Sequence, residues 1–250
     1  MSTIKKYVVL AGITLVMAAC AMSEKDNYIG TDVSTGKGGS LARFTIAGDY
    51  LYTVDQSSLH TISIADVEHP KRVADKSLGI YTETIYPYQG SLLLGTETGM
   101  FVFGLSDPAN PQQITYFQHI RSCDPVVAQN DYAYVTLNTG NQRCFNGTNE
   151  LQILNIKNLN APQLIKTINL AKPLGLDIEN DTLYVCDQGL RVFDVTDKKN
   201  PVLISYSGDI KAQDVIHQTG RLIVIGTDGL HQYMQTAAGL KKISTIPIQL

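Results

Sequence analysis

Five carboxylic acids, Asp55, Glu83, Asp124, Asp187 and Asp214, each stand beside a stretch of turn-forming residues. Gathered on one surface they would offer oxygen ligands to a hard cation such as calcium. Acids at strand ends have a plainer use, accepting hydrogen bonds from loop N–H groups. Their positions are not equivalent from one repeat to the next, so the sequence assigns no metal site and no cofactor. The five histidines, His60, His69, His119, His217 and His231, lack metal-ligand spacing, and the chain has no phosphate loop, nucleophile elbow or pair of CxxC motifs. No residue is singled out as catalytic. His60 and His231 each follow a leucine in a third strand, which reads as a repeated structural slot, and Tyr86, Tyr88, Tyr116 and Tyr134 read as packing groups. Of the four cysteines, Cys186 lies within an apolar strand, Leu-Tyr-Val-Cys-Asp, and reads as a small core residue.

The elements that carry these groups repeat. An apolar pair, a turn, a second apolar run and a polar corner make one phrase, clearest in LYTVDQSSLHTISIADVEHP from Leu51 to Pro70. The corner prolines Pro70, Pro111, Pro162 and Pro201, with Leu240 in the fifth slot, are separated by 41, 51, 39 and 39 residues. Such a period marks a repeat architecture. Each repeat parses into four short strands, in the first case over 42–48, 51–55, 59–64 and 71–75. Leu59, Thr61 and Ser63 alternate with His60, Ile62 and Ile64 at the period of two expected of a strand with unequal faces. Turn-forming pairs, Gly48-Asp49, Gln89-Gly90, Asn130-Asp131, Asn180-Asp181 and Thr219-Gly220, separate the first and second strands.

No segment reads as a long amphipathic helix. The fold class is therefore all-β, a β-propeller of five blades of four antiparallel strands, since a lone four-stranded sheet cannot cover both faces and radial stacking supplies the missing partner. A sandwich of evenly spaced strands is the rival, but it has no reason to repeat its corner in register. Isoleucine or valine recurs in the fourth strand at Val73, Ile114, Ile165, Ile204 and Ile243, expected where one position meets the same neighbour in every blade.

The amino end stands apart. Lys5 and Lys6 precede an apolar run from Tyr7 to Ala19, long enough for a signal peptide and short for a membrane span. Residues 1–19 read as that leader, 20–40 as a flexible tether containing Gly36, Gly38 and Gly39, and 41–250 as the propeller domain. Loss of Lys5 and Lys6 with the leader leaves 18 basic residues against 23 acidic ones, a net charge of about −5, which argues against nucleic acid as a partner.

Two resemblances follow. Met17-Ala18-Ala19-Cys20 resembles the lipobox of bacterial lipoproteins, which implies that Cys20 carries the lipid after cleavage and anchors the protein to a membrane. The alternative is an ordinary secreted protein cut near Ala19. Ala21, rather than an aspartate, implies the outer membrane as destination, with surface exposure open. The segments LYTVDQSSLHTISIADVEHP, GLRVFDVTDKKNPVLISYSG and MFVFGLSDPANPQQITYF resemble LVIVD repeats of bacterial secreted and surface proteins, over about residues 41 to 248. That resemblance implies a propeller and no particular activity.

In a propeller, fourth-to-first and second-to-third connections share one face, and the Asp-x-x-x-Pro corners lie on the other. Cys123, entering the third blade, and Cys144, in its loop over 137–150, then fall on one face and are expected to form a disulfide in an oxidising compartment, two free or differently paired thiols being the alternative. The ten-residue excess of the longest step, 51 residues, is confined to that loop. The candidate binding face comprises Arg121, Asp124, Arg143, Phe145 and Asn146 with Asp55, Glu83, Asp187 and Asp214. The expected function is a lipid-anchored scaffold binding an envelope protein, peptide or glycan. The alternatives are an extracellular hydrolase or lyase acting on carbohydrate or peptide, and a structural subunit of an envelope complex.

Overall fold

Turn chemistry sets the strands. In the computed structural model, which describes residues 38–118, 125–139, 148–236 and 239–248, the turns predicted between first and second strands adopt positive φ at Gly48, Gln89, Gly90, Asn130, Asn180, Thr219 and Gly220, the backbone geometry of tight hairpins. They divide the described residues into five antiparallel sheets of four consecutive strands each. Blade 1 comprises β1 (Phe44–Ala47), β2 (Tyr50–Val54), β3 (Ser58–Ser63) and β4 (Lys71–Ser77). Blade 2 comprises β5 (Thr82–Tyr88), β6 (Ser91–Thr96), β7 (Gly99–Gly104) and β8 (Gln112–Gln118). Blade 3 comprises β9 (Val126–Gln129), β10 (Tyr132–Leu137), β11 (Glu150–Asn155) and β12 (Gln163–Asn169). Blade 4 comprises β13 (Pro173–Glu179), β14 (Thr182–Asp187), β15 (Leu190–Asp194) and β16 (Val202–Ser207). Blade 5 comprises β17 (Ala212–Gln218), β18 (Arg221–Gly226), β19 (Gly229–Thr236) and β20 (Gly239–Pro247). The all-β, five-bladed propeller expected from the repeat is the fold observed.

The polar corners are one motif written four times. At Asp66, Asp107, Asn158 and Asp197 the side-chain oxygen accepts the N–H two residues on, from Glu68, Ala109, Asn160 and Lys199. The main-chain carbonyl of the same residue accepts the N–H three on. The following proline ends the turn, having no N–H to place in the ladder. Leu240, the fifth slot of the sequence phrase, is instead inside β20.

The recurring isoleucine or valine of the fourth strand has a different cause from the one expected. Each third-to-fourth strand pair slips by one residue at the same place, and the unpaired residue is Val73, Ile114, Ile165, Ile204 or Ile243. This is a β-bulge repeated in all five blades, which sharpens the twist of the outermost strand. The residues are partly solvent-facing, with Val73 at 45% and Ile204 at 50% exposure.

The core lies between blades. Period-two alternation sends Leu92 and Leu94 to one face of β6 and Leu93 to the other. The first pair packs with Tyr52, Val54 and Leu59 of blade 1, while Leu93 joins Val126 and Val135 of blade 3. Blades 3 and 4 share Tyr134, Ile153, Leu183 and Val185, and blades 4 and 5 share Tyr184, Val192, Leu222 and Val224. Each such side chain contributes about 1.5–3 kcal/mol by leaving water. Tyr86 and Tyr88 donate to the Ala128 and Asn130 carbonyls of the next blade, as packing groups should.

Candidate functional site

Hydrogen bonds between loops bear out the expected sorting of faces. The Ala171 and Lys172 N–H groups, entering blade 4, donate to the Asp187 carboxylate in that blade's second-to-third turn, Lys172 at 2.6 Å. In blade 5 the Lys211 N–H donates to Asp228 at 3.3 Å. In blade 1, Leu78 and Thr82 donate to the Ser57 and Gln56 carbonyls. Fourth-to-first and second-to-third connections therefore share a face.

The predicted carboxylates are distributed around that face rather than brought together. Asp55 accepts the Ser57 and Ser58 N–H groups and meets His60 Nε2 at 2.9 Å. The Ser57 N–H, followed by His60, holds its carboxyl below the usual range. Asp187 is fully buried, and besides its two loop amides it takes Arg191 Nε at 2.7 Å, with the guanidinium 4.7 Å from the Tyr206 ring. Glu83 is half-buried near the start of β5. Asp214 lies in β17, where burial pushes its pKa up to about 6 against the hydrogen bonds it accepts. Among the described residues no group of three His, Cys, Asp or Glu side chains is placed to hold a metal ion. Arg121, Cys123, Asp124, Arg143, Cys144, Phe145, Asn146 and the lipidation residue Cys20 lie outside the described residues.

The histidine slot is real and shared by three blades. His60 sits between Asp75 at Nδ1, 2.7 Å, and Asp55 at Nε2. His231 sits between Thr245 at Nδ1 and Asp228 at Nε2, both 3.1 Å. In blade 4 Arg191 follows Leu190 and reaches back to Asp187 in the same way. A basic residue after the third-strand leucine thus ties that strand to the preceding turn. Cys186 is fully buried, and burial pushes its thiol well up, which leaves it an inert packing group.

Sequence reasoning missed two features. One is a cleft of about 390 Å³ on the shared face between blades 4 and 5, bounded by Lys172 and Lys211 with Gln188 and Gln213, over Leu174, Ile210 and Ala212. Lys172 and Lys211 occupy equivalent positions, each with its main-chain N–H fixed by the turn carboxylate of its own blade. Their equivalence was only partly readable, since Asp187 stands two residues before Gly189 and Asp228 one residue before Gly229, each glycine leading into a third strand. The other is a buried acid at the hub, Asp177, near the predicted Asp214. Asp177 accepts the Ile178 and His217 N–H groups, and the His217 ring stacks on Tyr184 at 5.9 Å. Burial, then Asp177 and Glu179, pushes Tyr86 up to about 12.

Twisted four-stranded sheets arranged in sequence around a hub, with loop-built recesses on one face, define a β-propeller. Solved structures similar to this chain include a protein from Lactobacillus plantarum, at 11% identity, covering 79% of this chain and 67% of that one, TM-score 0.68. A periplasmic gluconolactonase from Pseudomonas aeruginosa matches at 13% identity over 80% and 68%, TM-score 0.65. BamB from Moraxella catarrhalis matches at 12% over 86% and 63%, TM-score 0.57. At these identities the likeness is one of fold. No protein-family model matches the chain, and neither does any curated protein.

Proposed function

We propose that this propeller is a lipid-anchored cell-envelope scaffold that binds a protein, peptide or glycan. Cys20, at the end of the Met-Ala-Ala-Cys sequence, carries the lipid, and the segment after it holds the domain off the membrane, a tether shorter than the 20–40 read from the sequence because Ser40 is buried in the hub against Asp214 and Leu176. Ala21 in place of an aspartate directs it to the outer membrane. The observation that carries binding is the cleft between blades 4 and 5, where Lys172 and Lys211 stand over an apolar floor. Both lysines are exposed while their main chains are anchored, so the ammonium groups are presented with little loop entropy left to lose on association. Such a recess suits a ligand bearing carboxylate or other anionic groups on an apolar frame.

A hydrolase of the same fold would need carboxylates free to move protons. Asp187 and Asp228 instead accept main-chain N–H groups and pair with Arg191 and His231. Their oxygens hold the loops in place, which favours recognition over catalysis.

The test is chemical crosslinking in intact cells followed by purification of the protein and mass spectrometry. The wild type is expected to yield specific envelope adducts that the Lys172→Glu, Lys211→Glu double variant loses. The same adducts from both forms would overturn the assignment of the cleft. Metabolic labelling with a clickable fatty acid should mark the wild type and spare Cys20→Ser. Equal labelling of both would remove the anchor.

A further inference from the structure

One main-chain slot recurs at the mouth of the blades, and its side chains differ in a way that bears on the cleft. The residue just before the first strand has a carbonyl that accepts an N–H at or near the end of the second, Arg43 from Val54, Tyr81 from Glu97, Pro125 from Thr136 and Lys211 from Thr227. Lys172 holds the same place ahead of β13. Between blades 1 and 2 the two slots close on each other, because the Arg43 guanidinium donates to the Tyr81 hydroxyl at 2.9 Å and lies 5.7 Å from the centre of its ring. Between blades 4 and 5 both slots hold lysine, and both line the cleft of about 390 Å³. Two ammonium groups repel each other, so they cannot close the gap as Arg43 and Tyr81 do.

The acids around the cleft are engaged elsewhere. Asp187 pairs with Arg191, Asp228 with His231, and Asp209, next to the lining residues Gly208 and Ile210, with Lys242. Among the described residues neither Lys172 nor Lys211 has an acidic partner. The cleft is therefore a local excess of positive charge on a chain whose net charge is −3. Its floor is aliphatic, with Leu174 half-buried and Ile210 and Ala212 buried. No aromatic ring is among the lining residues for a sugar to stack on, whereas a branched aliphatic side chain leaves water there against its own kind. β-Bulges at the start of β13 and β17 take Leu174 and Gln213 out of the regular ladder, and a bulge re-aims a side chain, here into the cleft. Gln188 and Gln213 each carry an amide that both donates and accepts, as a peptide group does.

We infer that the cleft takes the carboxyl end of a peptide. The free α-carboxylate bridges Lys172 and Lys211, the last side chain, an aliphatic one, rests on Leu174, Ile210 and Ala212, and the peptide group before it meets Gln188 and Gln213. In such a residue the carboxylate and the side chain leave the same carbon, so this is the smallest peptide ligand that uses the charge and the floor together. Capture of a chain terminus is also a recurrent mode of peptide recognition. The inference rests on the cleft being the binding site and narrows its ligand from a protein, peptide or glycan to one kind of peptide end.

The experiment is fluorescence anisotropy of the full chain with a labelled peptide ending in Ala-Val-Leu, made as the free acid and as the C-terminal amide. The free acid is expected to bind, and the amide to bind about tenfold more weakly or worse, the loss of a charge-assisted bond. Lys172→Gln and Lys211→Gln, each shown to be folded by circular dichroism, should weaken the free acid to a similar degree, and added salt should weaken it further. Equal binding of acid and amide overturns the inference. So does binding that survives both lysine substitutions together, and so does a failure of either peptide to bind. A labelled oligogalacturonate that binds in place of the peptide would assign the cleft to an acidic glycan, and an amidated peptide with internal glutamates bound as tightly as the free acid would assign it to acidic side chains. Both results overturn the carboxyl end as ligand while the cleft stands as the site. The crosslinking of the Lys172→Glu, Lys211→Glu variant separates the two levels, since adducts lost there without peptide binding strike this inference alone, and adducts retained strike the site itself.

Discussion

The Ser40 hydroxyl donates to the Asp214 carboxylate at 3.0 Å and accepts the Leu176 N–H at 2.8 Å, so one side chain ahead of blade 1 is tied to the innermost strands of blades 5 and 4. Leu41 adds a longer N–H bond to the same carboxylate, 3.4 Å. The Ala42 carbonyl meanwhile accepts the Ile85 N–H of blade 2. The few residues before β1 therefore span the hub. Ser40→Ala leaves a buried Leu176 N–H without its acceptor, a loss of about 1–3 kcal/mol. Chemical denaturation should show the midpoint fall with the slope unchanged. A variant as stable as the wild type would mean that the hub does not hold the two ends together.

Asp214 makes that tie depend on pH. Its folded pKa, raised by burial to about 6, exceeds the ordinary aspartate value of 3.8. The protonated carboxyl is thus the form the fold prefers, and its contribution is complete below about pH 4 and lost as pH rises through about 6. A shift of about two units is worth roughly 3 kcal/mol at most. Asp214→Asn cannot ionise, so it should cost more stability at about pH 4 than at about pH 7. Melting curves of both proteins across that range provide the comparison, and a difference independent of pH would show that Asp214 is charged throughout.

His60 behaves in the opposite chemical sense with the same sign of linkage. Partial burial opposes its charge, yet the Asp75 and Asp55 carboxylates outweigh it and hold the imidazole above 6.5. The imidazolium's contribution is present below that value and fades as pH rises through the folded pKa. Denaturation midpoints should therefore separate wild type from His60→Gln more at about pH 6 than at about pH 8.5. Equal separation would place His60 in the slot as a neutral hydrogen-bonding group.

How much of this was legible beforehand depends on whether the cause was local. The turns were readable because Gln89-Gly90 and Thr219-Gly220 are short-range requirements of φ, and both adopt it. The corner at Asp107 was readable because its oxygen reaches only two residues along. Val73 and its four counterparts were seen as a repeat, but nothing local distinguishes a bulge residue from a core residue, since both are aliphatic at a fixed period. The hub and the cleft escaped notice for the same reason. Ser40 meets Asp214 across 174 positions, and Lys172 meets Lys211 only when two blades stack. The carboxylates were rightly weighed as loop acceptors, which is how Asp55 and Asp187 are used.

The corner motif is itself open to test. Asp107→Ala removes the acceptor of the Ala109 N–H while leaving the main-chain bond to Asn110 in place. Because the corner is exposed, water replaces part of the lost bond, and the cost should stay near 1 kcal/mol. The Tyr52 hydroxyl donates to the neighbouring Pro108 carbonyl at 2.8 Å, so blade 1 leans on this corner of blade 2. Asp107→Ala and Tyr52→Phe should therefore be non-additive in a double-mutant cycle. Independent effects would show that the corner keeps its shape without its aspartate.

The glycine just before the third strand of blade 4 gives the sharpest contrast available in stability. Gly189 has φ +139°, and a β-carbon there would run into the Ser207 carbonyl of the outermost strand. Gly220, in the hairpin turn of blade 5, has φ +74° and open space around it. Gly220→Ala pays only for left-handed backbone, about 1–2 kcal/mol. Gly189→Ala must in addition part β15 from β16 at the end of their ladder, and so should cost at least twice as much. Urea denaturation of the two variants side by side measures the ratio. Equal losses would mean that the edge strand yields freely and that glycine is kept at 189 for its backbone angle alone.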